Sequence, residues 1–122
     1  MDVVQSLKWR YATKKFDENR FLEEEQLMVL QEAFNLTATS YGLQPLRLVV
    51  ISNKEKQAEL VEASLNQRQV LDASHLLVIC VERKVQAPFV TNYFDRVQKI
   101  RETPEPILKP FKEMLANKFD KQ

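Results

Sequence analysis

Leu46-Arg47-Leu48-Val49-Val50-Ile51-Ser52 is an almost unbroken apolar and β-branched run, the pattern of a strand covered on both faces. His75 to Glu82 repeats it, with Leu76-Leu77-Val78-Ile79-Cys80-Val81 at its centre. Between the two, Ser52 or Asn53 is placed to cap a helix through about residue 65, with Ala58, Leu60, Val61 and Leu65 as its apolar residues, and a short helical turn fits 67 to 73. A strand, a crossover helix and a second strand predict parallel pairing. Two strands alone make a marginal sheet, so further strands are expected from later sequence or from another subunit, and the chain reads as a fragment.

Working outward, residues 2 to 9 suit a short helix with Asp2 at its N-terminus and Val3, Val4 and Leu7 on one face. Glu23-Glu24-Glu25 opens an amphipathic helix that continues on Leu27, Met28, Leu30, Ala33 and Phe34 to about residue 36. Residues 88 to 102 read as helical. Thr103-Pro104-Glu105-Pro106 reads as a loop or N-cap, and Pro110 is expected to interrupt any helix begun there, leaving Phe111, Met114, Leu115 and Phe119 as the last amphipathic segment.

Bulk composition narrows the classes. The 122 residues fit one domain, and 44% hydrophobic with 29% charged residues fits a folded soluble protein. Eighteen basic against 17 acidic side chains leave +1, too little for a broad field toward nucleic acid or an anionic membrane. No apolar run approaches the roughly 20 residues of a membrane span, and Met1-Asp2-Val3-Val4 lacks a secretory pattern, so the expected location is the cytoplasm. A single cysteine, Cys80, excludes an intrachain disulfide and is read as a small buried core residue. One glycine excludes both the G-x-G-x-x-G turn and the P-loop, and one histidine without a spaced cluster offers no metal site. Any phosphate must be held by side chains.

Two polar stretches offer such side chains. Trp9-Arg10-Tyr11-Ala12-Thr13-Lys14-Lys15-Phe16 supplies cations and hydroxyls, and Thr37-Ala38-Thr39-Ser40-Tyr41-Gly42-Leu43-Gln44-Pro45 supplies hydroxyls and an amide on a turn. Arg10 is the best anion ligand, because a guanidinium fork takes two phosphate oxygens, and Lys14 is a second positive group. Taken alone, each reads first as a solvated surface cation. Gly42 suits a positive φ, and Pro45 fixes entry into the strand. Asp72 and His75 invite an acid–base reading, but Asp72 or Ser74 is better assigned to local backbone groups.

The opening helix followed by W-R-Y-A-T-K-K-F-D, the segment T-S-Y-G-L-Q-P-L-R-L-V-V and the segment N-Q-R-Q-V-L-D-A-S-H-L-L-V-I together resemble the flavin-dependent nitroreductase family, in order and spacing. The resemblance runs over residues 1–122 and matches the N-terminal portion of that family's domain. It implies an α+β fold, a mixed sheet flanked by helices, and an intertwined homodimer that buries FMN at its interface.

By that resemblance Arg10 would hold the FMN phosphate and Lys14 would approach the N1/C2 edge of the flavin. Tyr11 would contribute through its backbone or by stacking, and Ala12 stands where many relatives have a small hydroxyl residue. Asn66 would pair with the pyrimidine edge, and Gln69 stands where some relatives place a lysine. Ala38, Thr39, Ser40 and Gly42 form the turn toward the cofactor, with Thr39 and Ser40 coming from the other subunit; Tyr41 would face the substrate, while Gln44 and Pro45 shape the turn.

The implied activity is an NAD(P)H oxidoreductase passing two electrons by a ping-pong scheme to a nitroaromatic or quinone, with no catalytic side chain because the flavin carries the chemistry. The alternatives are another flavin reaction on the same fold, such as reductive dehalogenation or flavin destruction, and a non-catalytic interaction module.

Overall fold

The computed structural model describes residues 2–120. Six helices and two strands follow in the order α1 (Val3–Trp9), α2 (Glu24–Leu36), β1 (Leu46–Ile51), α3 (Lys54–Ala63), α4 (Gln69–Asp72), β2 (Leu76–Val81), α5 (Ala87–Arg101) and α6 (Glu105–Phe119), with a 3₁₀ turn at Ser40–Gly42. They are distributed over two compact units. One holds the residues up to Asn35 together with Leu48–Val78; the other holds Leu36–Arg47 and the residues from Ile79 on.

In the first unit, α1 is started by Asp2, whose Oδ1 accepts from the amides of Val4 at 2.9 Å and Gln5 at 3.4 Å. Its apolar residues Val3, Val4 and Leu7 are all exposed, and Trp9 is 85% exposed. Asn53 caps α3 by accepting from the Lys56 amide at 2.9 Å. The inward positions of α3 differ from the expectation. Gln57 is wholly buried and Lys54, Leu60, Val61 and Ser64 are half-buried, whereas Ala58 is exposed and Leu65 is 85% exposed with φ +56°.

β1 and β2 form a two-stranded sheet. The amide of Glu82, just past β2, donates at 2.9 Å to the carbonyl of Pro45, just before β1, and Arg47 Nε bonds Glu82 Oε1 at 2.7 Å. The start of one strand therefore lies beside the end of the other. The pair is antiparallel, which corrects the parallel expectation. The reason lies in the connection: Lys54 and Gln57, immediately after β1, bond the carbonyls of residues 70 to 73, immediately before β2. The helical excursion thus returns to the end of the sheet it left. Full coverage of both faces is also not found, since Val49, Ile79 and Val81 are exposed. Cys80 is exposed with them, against the expectation of a buried thiol.

The second unit has an apolar core of Leu43, Val90, Phe94 and Leu115, surrounded by Val85, Phe89, Tyr93, Leu108, Ala116 and Phe119. Phe94 meets Tyr93 and Phe111 edge-on at 5.5 and 5.8 Å between centroids. Glu102 ends α5 in the left-handed conformation at φ +51°. α6 then runs from Glu105 unbroken through Pro110, so the expected interruption does not occur. Proline there removes one donor to the carbonyl of Pro106. Both residues are exposed, so water can take the bond, and the burial of Leu108 and Leu115 on one face holds the helix together.

No helix among the described residues is long and apolar enough to cross a membrane.

Candidate functional site

The cationic stretch leaves α1 at Arg10, whose N–H donates to the Ser6 carbonyl at 3.1 Å while its own backbone turns extended. Arg10, Tyr11, Ala12 and Lys14 are all exposed. Neither the Arg10 guanidinium nor the Lys14 ammonium has an ion pair among the described residues. Farther along, Asp17 Oδ1 accepts from the Asn19 amide at 3.0 Å and closes a local turn. The Leu22 amide then donates to Ser74 Oγ at 2.7 Å, a link across 52 positions.

The amide-bearing segment follows α3. The Asn66 amide donates to Val61 O at 3.0 Å, the long-range bond that closes a helix C-terminus through a left-handed residue. Leu65 and Asn66 are both left-handed, at φ +56° and +58°. Asparagine tolerates that region, and leucine does so only at a cost of roughly 1–2 kcal/mol. Asn66 is exposed, and Gln69 is half-buried at the first position of α4.

The hydroxyl-rich turn belongs to the second unit. Thr39 Oγ1 accepts from the Gln44 amide at 2.9 Å, and Thr39 O accepts from the Gly42 amide at 2.9 Å. Gly42 is at φ +68°, as expected, but Tyr41 at +57° and Gln44 at +47° share the left-handed region, so the turn is more contorted than one glycine suggests. The Tyr41 ring meets Phe119 edge-on at 6.0 Å, and its Oη accepts from Lys118 Nζ at 2.6 Å. Ala38 and Ser40 are exposed, and Thr39 is half-buried.

Arg10, Tyr11, Ala12, Lys14, Asn66 and Gln69 thus lie on one unit, and Ala38, Thr39, Ser40, Tyr41 and Gly42 on the other. Asp72 pairs with Arg68 at 3.1 Å, and Ser74 accepts from the Leu22 amide 52 positions away and bonds His75 Nδ1 at 2.7 Å, so the expected local backbone partner is not found for either among the described residues. Three residues escaped the sequence reading. Lys54 and Gln57 carry an i, i+3 signal that apolar bookkeeping discounts, and Lys118 reaches Tyr41 across 77 positions, which no local pattern reveals. A groove between α5 and α6, about 410 Å³, is lined by Phe94, Leu108, Ala116 and the 2.8 Å Lys112–Asp95 pair; it contains none of the candidate residues. Among the described residues no group of three His, Cys, Asp or Glu could hold a metal ion.

Comparison with known proteins bears on this arrangement. The sequence profile of the Nitroreductase family matches residues 7–110. A Staphylococcus saprophyticus protein assigned by name to the NAD(P)H nitroreductases is 33% identical over 107 residues, covering 85% of this chain and 49% of that protein. The oxygen-insensitive NAD(P)H nitroreductase of Salmonella typhimurium is 28% identical over 101 residues, covering 79% of this chain and 46% of that enzyme. The chain therefore spans about half the length of these curated relatives. A nitroreductase-type structure from Exiguobacterium sibiricum, solved in complex with FMN, superposes with a TM-score of 0.78 at 21% identity over 98% of this chain and 57% of its own.

Proposed function

The chain belongs to the nitroreductase family, and on that premise we propose that it serves an FMN-dependent oxidoreductase drawing electrons from NAD(P)H, acting as a homodimer. The observation that carries this reading is a pair of exposed cations, Arg10 and Lys14, without ion-pair partners among the described residues, in the same unit as the exposed amide of Asn66. That donor set fits FMN. With no glycine-rich cradle available, the phosphate needs a guanidinium fork, and the pyrimidine edge needs a group that both donates and accepts. Bound FMN would supply the two-electron chemistry, hydride from the nicotinamide and then to a nitroaromatic or quinone, in ping-pong order.

The residues supply binding and orientation. Arg10 takes the phosphate, Tyr11 contributes through its backbone or by stacking, and Ala12 adds no side-chain hydrogen bond. Lys14 lies at the N1/C2 edge, where a fixed cation favours negative charge. Asn66 pairs with the pyrimidine edge and neutral Gln69 stands beside it, so it adds no second cation there. Ala38, Thr39, Ser40 and Gly42 form the turn toward the cofactor, with Thr39 and Ser40 assigned to the site of a second copy. Tyr41 faces the acceptor. Because Lys118 donates to its Oη, the phenolic hydrogen is left to donate to an oxygen of a bound acceptor.

The test is anaerobic mixing of the flavin-loaded protein with NADPH and, separately, NADH. The oxidised-flavin absorbance should bleach with at least one of them and return when a nitroaromatic or quinone is added. Colour that persists with both nicotinamides overturns the proposal.

A further inference from the structure

We propose that Lys54, seconded by Gln57, is a positioning residue for the cofactor site: one ammonium ties the segment bearing Asn66 and Gln69 to Phe21, in the connection that leads from the Arg10 and Lys14 stretch to α2. This rests on the FMN reading above. Lys54 Nζ donates to the carbonyls of Leu71 at 2.9 Å and Ala73 at 2.6 Å, and Gln57 Nε2 donates to those of Val70 at 2.9 Å and Ala73 at 3.0 Å. The same Nζ lies 5.5 Å from the centroid of the Phe21 ring, within cation–π range.

The need for these bonds follows from α4. It is a single turn of four residues, too short to persist by its own hydrogen bonding, and its last carbonyls have no partners within the helix. Four side-chain bonds on three carbonyls hold it from the α3 side. Ahead of it, before Gln67 and Arg68, stand Leu65 and Asn66, two successive left-handed residues that a free chain would leave. Pinning α4 fixes where Asn66 and Gln69 stand.

Two further facts show that this pair acts through its donors. Gln57 is wholly buried although polar, and its Oε1 has no partner among the described residues, so only its N–H end is used. Lys54 is half-buried and has carbonyls, not a carboxylate, as partners; no ion pair of it exists among the described residues. Neither side chain is assigned a contact with the cofactor, so both act through the segment they hold.

The experiment measures FMN dissociation constants of the full-length protein by flavin-fluorescence titration, with melting curves of the flavin-free forms alongside. Lys54→Met keeps length and loses all donors, and it should weaken FMN binding at least fivefold. Lys54→Arg, which keeps donors, should stay within twofold of the parent. In an Asn66→Ala background, Lys54→Met should cost less than it does in the parent, because one of the two side chains it positions is gone. Should Lys54→Met fail to fold, Gln57→Met carries the same comparison. Full additivity with Asn66→Ala, or unchanged affinity in Lys54→Met while Arg10→Ala weakens binding, overturns the inference and leaves the FMN reading standing. Unchanged affinity in Arg10→Ala removes Arg10 from the site, and absence of FMN binding by the parent removes the FMN reading itself.

Discussion

Arg10 leaves α1 with its backbone N–H engaged and no ion-pair partner for its guanidinium among the described residues. A charge-assisted bidentate phosphate contact is worth more than a neutral hydrogen bond, so Arg10→Ala should weaken FMN binding more than tenfold, about 1.4 kcal/mol or more. Titration of the flavin-free protein reads this directly. Leu65 makes the opposite case. It stands left-handed and 85% exposed where helices usually place glycine. Leu65→Gly should therefore raise stability by about 0.5–1 kcal/mol, seen as a higher urea midpoint at unchanged slope. At this scale the sequence shows residue types well and partners poorly. Arg10, Lys14 and Asn66 are identified by their chemistry within short motifs, whereas the Lys118 bond to Tyr41 and the Lys54 bonds to residues 71 and 73 join positions that only the folded chain brings together.

Elements were more legible than their arrangement. Capping residues and apolar periodicity locate α1, α2, α3, α5 and both strands to within a residue or two, because those signals are local. Strand direction is not local. It depends on where the connection ends, here beside its own start as the Lys54 and Gln57 bonds to the Ala73 carbonyl show, and a helix between two strands looks the same in sequence whether the chain crosses the sheet or returns. Pro110 misleads for a related reason, since the loss of one helical bond is small beside the burial of one face of α6. That burial can be tested. Leu115 is fully buried among Leu43, Val90 and Phe94, so Leu115→Ala should cost about 2–5 kcal/mol. Chemical denaturation followed by far-UV circular dichroism measures it, and a loss below about 1 kcal/mol would mean that α6 does not depend on this core.

For the molecule as a whole, the proposed dimer makes its own demand on α1. A seven-residue helix is not stable alone, and Val3, Val4, Leu7 and Trp9 of this one are 57–85% exposed. Covering a leucine side chain is worth roughly 1.5–3 kcal/mol. A two-fold axis counts each substitution twice, so Leu7→Glu should weaken association by about 3 kcal/mol or more, beyond a hundredfold in dissociation constant. Sedimentation velocity of the full-length protein should show a dimer that Leu7→Glu converts to monomer at micromolar concentration. Flavin content should fall with it, because Thr39 and Ser40 are assigned to the site of the other copy. A parent protein that sediments as a monomer while retaining FMN would remove both the interface and that assignment. A Leu7→Glu dimer with full flavin content would move the interface away from α1 and leave the Arg10 and Asn66 assignments intact.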